Sequence, residues 1–293
     1  MFVCFSCSVY IDLTYRTFVY FLQIIMPPGE QSLSLPSLDR LNNLNIHLNR
    51  CILSRLSFRD VVRVSKLSKD WQYICWRIQH VKFNQTVWKT PEDLTSPIIG
   101  FILILDSFLR FHRGIILKVT LNIISLIVCL NVDRLISSLD TYHIKHFVIK
   151  HTFIYPPYRL PNFFLLSALR HLYIMECEIQ LPCFFQGFNK LIRLKFKYVT
   201  LSSNTFESLI FNSPLLEDLV LKDIDNPYFM SINAPKLRSF VFRGNIQLIH
   251  LEYVPVLSNV LYAHRELVLE DEDDFVNIFS SIPALECFSW DLF

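Results

Sequence analysis

The stretch PLLEDLVLK at residues 214–222 is followed by PKLRSFVFR at residues 235–243. In each copy an apolar residue stands two positions after the proline, a second follows three positions later, and a third two positions after that. Side chains two positions apart point to the same face of a β-strand. Each copy therefore predicts a short strand with one buried face, preceded by a proline that ends any helix before it.

The same apolar frame recurs along the second half of the chain. It has the form Leu-x-x-Leu-x-Leu, with aromatic or aliphatic substitutes, and successive starts are 20 to 28 residues apart. Such spacings are typical of leucine-rich repeats, which stack one strand per repeat into a parallel sheet. The frames are Ile144/Phe147/Ile149, Leu169/Leu172/Ile174, Leu191/Leu194/Phe196, Leu216/Leu219/Leu221, Leu237/Phe240/Phe242, Leu257/Val260/Tyr262 and Leu285/Phe288/Trp290, with a weaker copy at Ile116/Val119/Leu121. We therefore predict an irregular leucine-rich-repeat array over residues 116–293.

The residues that alternate with the buried frame positions form the outward face of the predicted sheet. The middle of this face is basic and carries a tyrosine, which favours an acidic or phosphorylated partner. The candidate target-binding residues are His171, Tyr173, Arg193, Lys195, Lys197, Lys222 and Arg243. The alternative interpretation is an ordinary solvated strand face without a ligand.

A helical pattern precedes the repeats, in the stretch LDRLNNLNIHLNRCILSRLSFRDVVRVSKLSKDWQYI at residues 38–74. Apolar residues recur at three- and four-residue steps, which predicts one apolar helix face, with Asn49 on the polar side. Asp60 opens a second apolar set, and Ser68 can cap a third short helix. Three short helices bury little surface, so we expect this module to complete its core against a neighbour.

This stretch resembles the F-box of plant F-box/leucine-rich-repeat proteins, and the repeats resemble the same family around residues 218–247. The family pattern Ile-Leu-x-x-Leu, then Asp-x-Val-x-x-Ser-x-Leu-Ser-x-x-Trp, is matched by residues 52–56 and 60–71. The resemblance implies an α/β chain in which a three-helix F-box binds the Skp-type adaptor of a cullin-RING ubiquitin ligase and the repeats hold a target protein. The candidate adaptor-binding residues are Leu41, Leu44, Leu48, Ile52, Leu53, Leu56, Val61, Leu67 and Trp71.

The chain departs from the family pattern at Asn45, where the family usually has proline. Proline would preset the backbone at the helix start, whereas asparagine loses that preorganisation but remains a good N-cap. We expect the exchange to cost less than about 1 kcal/mol. Some family members continue into a C-terminal domain called FBD, and we expect it to be absent or truncated here because the sequence stops at Phe293.

The net charge of +2 conceals an uneven distribution. Residues 37–90 hold 10 basic and 3 acidic residues, whereas residues 91–293 hold 17 basic and 21 acidic residues. The basic F-box segment therefore predicts an acidic partner. The acidic run at residues 270–274 lies between frames, and we expect it to be a solvated loop.

Nothing in the sequence predicts catalysis by this chain. It contains no GxSxG, P-loop or HExxH pattern, and its 5 glycines make phosphate cradles improbable. We therefore expect a chain that is not an enzyme and holds no cofactor. The eight cysteines, mostly in apolar runs, predict reduced, buried thiols in a cytosolic or nuclear protein. Cys4 and Cys7 form a single CxxC without a second pair, so no metal site is expected.

Residues 1–25 are apolar, but Asp12 interrupts the run and the first basic residue is Arg16. These features argue against a secretory signal or a membrane span, although a weak membrane anchor is the alternative. We expect the physiological start at Met26. The predicted organisation is a prefix and leader over residues 1–36, the F-box over 37–80, a connecting segment over 81–115 with a helix at 101–111, and the repeats.

Three functions are open at this point. The first is a substrate adaptor of a ubiquitin ligase, which the resemblance favours. The second is a repeat scaffold whose F-box no longer docks, which only Asn45 supports. The third is a small-molecule receptor, suggested by loose similarity to auxin-receptor relatives. Nucleic-acid and membrane partners are not expected, because the basic residues of the box alternate with a required apolar face and no stacking motif is evident.

Overall fold

The computed structural model describes residues 45–84, 108–109, 112–123, 136–151, 157–160, 162–225, 229–245, 249–264 and 282–292. The chain divides into two compact units, Met1–Ile115 and Ile116–Phe293. Several predictions concern residues that the structure does not describe, namely Cys4, Cys7, Met26, Leu41, Leu44 and residues 270–274. So does most of the helix predicted over residues 101–111, of which Phe108 and Leu109 are described as helical and buried.

Between residues 45 and 84, the first unit has the helices α1 (Ile46–Arg55), α2 (Phe58–Val64) and α3 (Lys69–Cys75) and the strand β1 (His80–Asn84). Each helix begins at a polar N-cap. The Asn45 side chain accepts a hydrogen bond from the His47 amide at 3.0 Å. Ser57 accepts from the Asp60 amide at 3.3 Å, and Ser68 from the Trp71 amide at 3.2 Å. Caps of this kind contribute about 1 kcal/mol each, and the predicted cap at Ser68 is confirmed.

The core of the first unit is aromatic. The Phe58 ring lies 4.7 Å from the Phe83 ring and 4.8 Å from the Phe108 ring, and Trp76 stacks on Phe108 at 5.7 Å. His112 is buried against Phe108, with 5.1 Å between the ring centroids. Burial lowers the pKa of His112 to about 4, because the charged imidazolium would lose its hydration.

The second unit is built on parallel strands. Eight of them lie in one sheet in the order β2-β3-β5-β7-β8-β10-β12-β13. They are β2 (Lys118–Ile123), β3 (His146–His151), β5 (His171–Met175), β7 (Arg193–Lys197), β8 (Asp218–Lys222), β10 (Ser239–Arg243), β12 (Asn259–His264) and β13 (Cys287–Leu292). Between them lie two short parallel pairs, β4 (Tyr158–Leu160) with β6 (Cys177–Ile179) and β9 (Met230–Asn233) with β11 (Ile249–Tyr253), and helix α4 (Ser203–Phe211). The α/β fold with a parallel repeat sheet is confirmed.

The strand register follows the apolar frame. Leu194 lies opposite Leu172 on one side and Leu219 on the other, so the second frame residue of each repeat meets its counterpart. All frame residues from Ile116 to Tyr262 are buried, which includes the weaker copy at the start. The last frame differs, because Phe288 on β13 is 41% exposed and Leu285 is only partly buried. The expectation that every frame is buried is therefore wrong for this repeat, where the described residues place a strand on one side only.

The frame prolines lie in turns that lead into the strands. The turn at Pro214 is closed by a hydrogen bond from the Leu216 amide to the Ser213 carbonyl at 3.1 Å, and equivalent bonds of 3.0 and 3.1 Å close the turns at Pro235 and Pro255. Proline fits the second position of such a turn because its φ is already near −65°. Pro214 follows helix α4, whereas Pro235 and Pro255 follow the short strands β9 and β11.

Four consecutive repeats have a residue of positive φ directly after the strand, and in three of them it is a left-handed corner. Glu176, Tyr198 and Asp223 have φ of 58°, 52° and 53°, and Gly244 has φ of 152°. Each corner amide still donates a hydrogen bond to the neighbouring strand, as from Tyr198 to the Lys222 carbonyl at 3.0 Å. The bond keeps the corner in register with the sheet. Positive φ in a residue other than glycine costs roughly 1 kcal/mol or more, so neighbouring repeats hold these corners in place.

The described cysteines are all free, and Cys75 and Cys177 are buried while Cys51, Cys183 and Cys287 are exposed. The prediction of buried thiols thus fits only two of these five residues. Burial raises the pKa of the Cys75 thiol to about 12, so this thiol is inert. Within the described ranges no helix is both long enough and apolar enough to cross a membrane.

Candidate protein-binding surfaces

The first candidate surface consists of three exposed apolar side chains of the three-helix unit, Leu48, Ile52 and Leu67, which are called here the box surface. These side chains are 53%, 40% and 71% exposed. Leu48 and Ile52 are four residues apart on α1 and therefore lie on one stripe of the helix. An exposed apolar stripe on a small module with a filled core is typical of a docking site.

The neighbouring stripe of α1, about 100° around the helix, is buried. Asn49 and Leu53, again four residues apart, are only 3% and 1% exposed. The prediction that Asn49 lies on the polar, solvated side is therefore wrong. The apolar residues of this segment do not form one buried face, because α1 packs on α3 through the stripe that contains Asn49 and Leu53.

The predicted adaptor-binding residues divide into three groups. Leu48, Ile52 and Leu67 are exposed, and Leu56 is partly buried. The buried group is Leu53, Val61 and Trp71, whose side chains form part of the unit's own core. The remaining two, Leu41 and Leu44, lie outside the described residues.

Basic side chains accompany the box surface on the same unit. Arg55, Lys66 and Lys69 are exposed, and Arg63 pairs with Asp60 at 3.4 Å. Exposed cations of this kind steer an acidic partner and raise its association rate more than they add to affinity.

The second candidate surface lies on the outward face of the parallel sheet. Lys150 and Lys197 are both paired with Met175 across adjacent strands, and Lys197 is paired in turn with Lys222. Lys195 occupies the neighbouring outward position on β7. We call Lys150, Lys195, Lys197 and Lys222 the lysine cluster.

Tyr173 lies at the centre of the lysine cluster. The Lys195 ammonium is 4.9 Å from the centroid of the Tyr173 ring, and the Lys150 ammonium is 5.5 Å from it. Lys197 lies over a second ring, that of Tyr198, at 4.8 Å. Such cation–π contacts contribute about 0.5–1 kcal/mol at exposed sites and hold the ammonium groups in defined positions.

The positive charges of the four lysines repel one another. Burial and the charges of Lys222, Lys150 and Lys197 lower the pKa of Lys195 below its usual value. Burial raises the pKa of Tyr173, and the carboxylate of Glu176 adds to the effect. The charged form of Lys195 is thus disfavoured by its own neighbours, and a bound anion would relieve that repulsion.

The arginines of the same face already have partners. Arg193 donates two hydrogen bonds to Asp218, at 2.9 and 2.6 Å, and Arg243 lies 3.5 Å from the buried carboxylate of Asp223. Within the described ranges the four lysines of the cluster make no ion pair of this kind. The arginines are therefore neutralised locally, whereas the lysines are available to a partner.

The structure places all seven predicted target-binding residues on the outward face, but it brings only some of them together. Tyr173, Lys195, Lys197 and Lys222 meet in the cluster. His171 instead stacks on His146, with 4.2 Å between ring centroids. Lys150 is absent from the predicted set although it shares its frame position with Lys197 and Lys222. That shared position is the signal that could have identified it.

Comparison with known proteins identifies the family. The model described as "FBD-associated F-box protein At5g56370, LRR repeats" matches residues 132–289, more than half of the chain. The chain belongs to the plant F-box/LRR-repeat family. The F-box domain model matches residues 41–79, and the box surface lies within that match. The resemblance seen in the sequence is thereby confirmed.

Three F-box/LRR-repeat relatives from Arabidopsis thaliana illustrate the similarity. The F-box/FBD/LRR-repeat protein At1g13570 is 28% identical over 85% of this chain, and this chain covers 61% of its length. The putative F-box/LRR-repeat protein At1g56400 is 27% identical over 70% of the chain, and F-box/LRR-repeat protein At4g14096 is 26% identical over 71%. This chain covers 46% of the length of At1g56400 and 46% of the length of At4g14096. The chain thus spans about half to three fifths of these F-box/LRR-repeat relatives.

Proposed function

We propose that this protein is the substrate-recognition subunit of a Skp-cullin-F-box ubiquitin ligase. The F-box docks on the Skp-type adaptor, and the repeats bind the target protein. The chain performs no chemistry itself. It raises the rate of ubiquitin transfer by holding the target near the ubiquitin donor, which replaces a bimolecular encounter with a local one.

The observation that carries this proposal is the exposure of Leu48, Ile52 and Leu67 on a unit that matches the F-box. The unit already has a core of its own, so these side chains are not needed to fill it. Burying one leucine-sized side chain against a partner stabilises a complex by about 1.5–3 kcal/mol. The box surface is thus able to supply the anchors of a docking interface.

The alternative of a scaffold whose F-box no longer docks rested on Asn45. In the structure Asn45 caps α1 through the His47 amide, at 3.0 Å. The first turn of the helix therefore keeps a stabilising contact in the place where the family usually has proline. This favours a box that is competent to dock.

The experiment that tests the proposal is calorimetric titration of the full chain with a purified Skp-type adaptor. The double variant Leu48→Ala/Ile52→Ala is expected to bind at least about thirtyfold more weakly, because truncating a buried anchor costs about 2 kcal/mol or more. Circular dichroism of this variant should match that of the parent, since both side chains are exposed.

The matched control is Phe211→Ala, which removes a side chain that is 70% exposed on the second unit. It should leave adaptor affinity unchanged. If the parent chain does not bind the adaptor, the proposal is wrong and the scaffold alternative is favoured. If the double variant binds as tightly as the parent, the box surface is not the docking site. A ligand-induced thermal shift of the parent would support the small-molecule receptor instead.

A further inference from the structure

The lysine cluster concentrates positive charge in a small part of the outward face. It extends over strands β3, β5, β7 and β8, which at a strand spacing of about 4.8 Å is a width of roughly 14 Å. In the row of Lys195 the next outward positions, Val220 and Val241, are apolar. In the row of Lys197 and Lys222 the next position is Arg243, whose charge is offset by its pairing with Asp223. The positive charge without a paired carboxylate is therefore concentrated on the four lysines, an area that suits one or two anionic groups.

The ammonium groups are also held in place before any ligand arrives. Those of Lys150 and Lys195 lie within 5.5 Å of the centre of the same Tyr173 ring, one contributed from each flanking strand. Lysines that are already ordered lose less side-chain entropy when they bind a ligand. The Tyr173 ring adds an apolar floor between them.

Two acidic groups beside the cluster are already paired with arginines. Asp218 on the same face is bound by Arg193 through two hydrogen bonds, and Asp223 is paired with Arg243. The charge of Glu176, at the corner after β5, also reaches Tyr173. One carboxylate offsets only part of the charge of four lysines, so the cluster keeps a net positive field.

We propose that the lysine cluster binds a phosphorylated side chain of the target protein. The inference rests on the proposed function, in which the repeats hold the target. A phosphate dianion offers three acceptor oxygens and close to two negative charges, which suits several converging ammonium donors. A single carboxylate offers two oxygens and one charge, and so leaves most of the cluster unpaired. A nucleic-acid strand would require a longer basic track than the face provides.

The test uses the full chain and three degenerate peptide libraries, labelled with fluorescein, that differ only at a fixed central residue, namely phosphoserine, serine or glutamate. Fluorescence anisotropy should detect binding of the phosphoserine library and no binding of the serine library. The double variant Lys197→Ala/Lys222→Ala is expected to weaken phosphoserine binding at least about thirtyfold, since two charge-assisted contacts are lost.

The control variant is Lys190→Ala/Lys236→Ala, which removes the same charge from two exposed turn positions outside the cluster. It should bind the phosphoserine library within about twofold of the parent. The proposal is wrong if the control loses as much affinity as the cluster variant, because the effect would then be one of net charge. It is also wrong if the glutamate library binds equally well, if a single-stranded oligonucleotide binds more tightly, or if no library binds.

Failure of this test and failure of the ligase role are distinguishable. Adaptor titration reports on the box surface, whereas the peptide libraries report on the outward face of the repeats. A chain that binds the adaptor but not the phosphoserine library keeps its ligase role and loses only the phosphate specificity.

Discussion

The two units of this protein use apolar residues in opposite ways. In the repeats, frame residues such as Phe147, Leu194 and Leu219 are completely buried. In the F-box, Leu48 and Ile52 are exposed, whereas a polar residue between them, Asn49, is buried. A repeat inside the array has a copy of itself on each side, so its apolar face is covered. The F-box has no such copy, and its apolar pattern includes residues that stay exposed.

The largest expected effect is on the stability of the second unit, and a comparison of two phenylalanines measures it. Phe196→Ala removes a completely buried ring and should destabilise the unit by about 3–5 kcal/mol through lost burial and the cavity left behind. Phe211→Ala removes an exposed ring and should change stability by less than about 0.5 kcal/mol. Urea unfolding followed by circular dichroism measures both. Equal losses in the two variants would contradict the assignment of the frame residues to the core.

A second effect depends on pH and, in the first unit, arises at His112. The pKa of His112 is lowered by burial from 6.5 to about 4, so the unfolded chain binds a proton between these values while the folded unit does not. Stability is therefore complete above about pH 6.5 and falls as the pH drops towards 4, by an amount on the order of 2 kcal/mol.

Hydrogen exchange of α1–α3 between pH 7 and pH 4, corrected for intrinsic rates, measures this loss. His112→Leu should flatten the dependence, whereas His47→Gln at an exposed position should leave it unchanged. A pH dependence that persists undiminished in His112→Leu would assign the proton to another group. Burial also lowers the pKa of His151 on β3, so the repeats have a pH dependence of their own, which His112→Leu should leave unchanged.

The smallest expected effect concerns the departure from the family pattern. Asn45 has φ of −56°, which proline can adopt without strain. Asn45→Pro loses the cap of about 1 kcal/mol but stiffens the unfolded chain by about 0.4–1 kcal/mol, so the two effects nearly cancel. Adaptor affinity should change by less than about fivefold. Asn45→Ala loses the cap with no compensation and should be the weaker binder, and the reverse order in a titration would contradict the capping role.

Much of the repeat unit could be predicted from the sequence. The apolar frame fixes which residue of each strand faces inward, and parallel strands at a constant register then place Leu172, Leu194 and Leu219 side by side. The pairing of Arg193 with Asp218 could also have been predicted from the sequence, because both residues occupy the same position in consecutive frames. It escapes notice when each strand is considered alone.

Other features depend on contacts that no single repeat encodes. The exposure of Phe288 reflects the absence, among the described residues, of a neighbour on one side of β13. The burial of Asn49 reflects which stripe of α1 packs on α3, and the periodic pattern alone fits either stripe. The pairing of Arg243 with Asp223 requires a left-handed corner at Asp223, a conformation that its residue type does not demand.

The left-handed corners have a consequence for how this protein can change. The corners and the frame residues maintain the sheet. The outward side chains between them, such as Tyr173 and Lys195, therefore contribute little to the stability of the fold. Substitutions at these positions can alter shape and charge without disturbing a neighbouring repeat. A few exchanges on one face of a duplicated gene's product would thus change what that face can bind, while the F-box and the folding remain as they were.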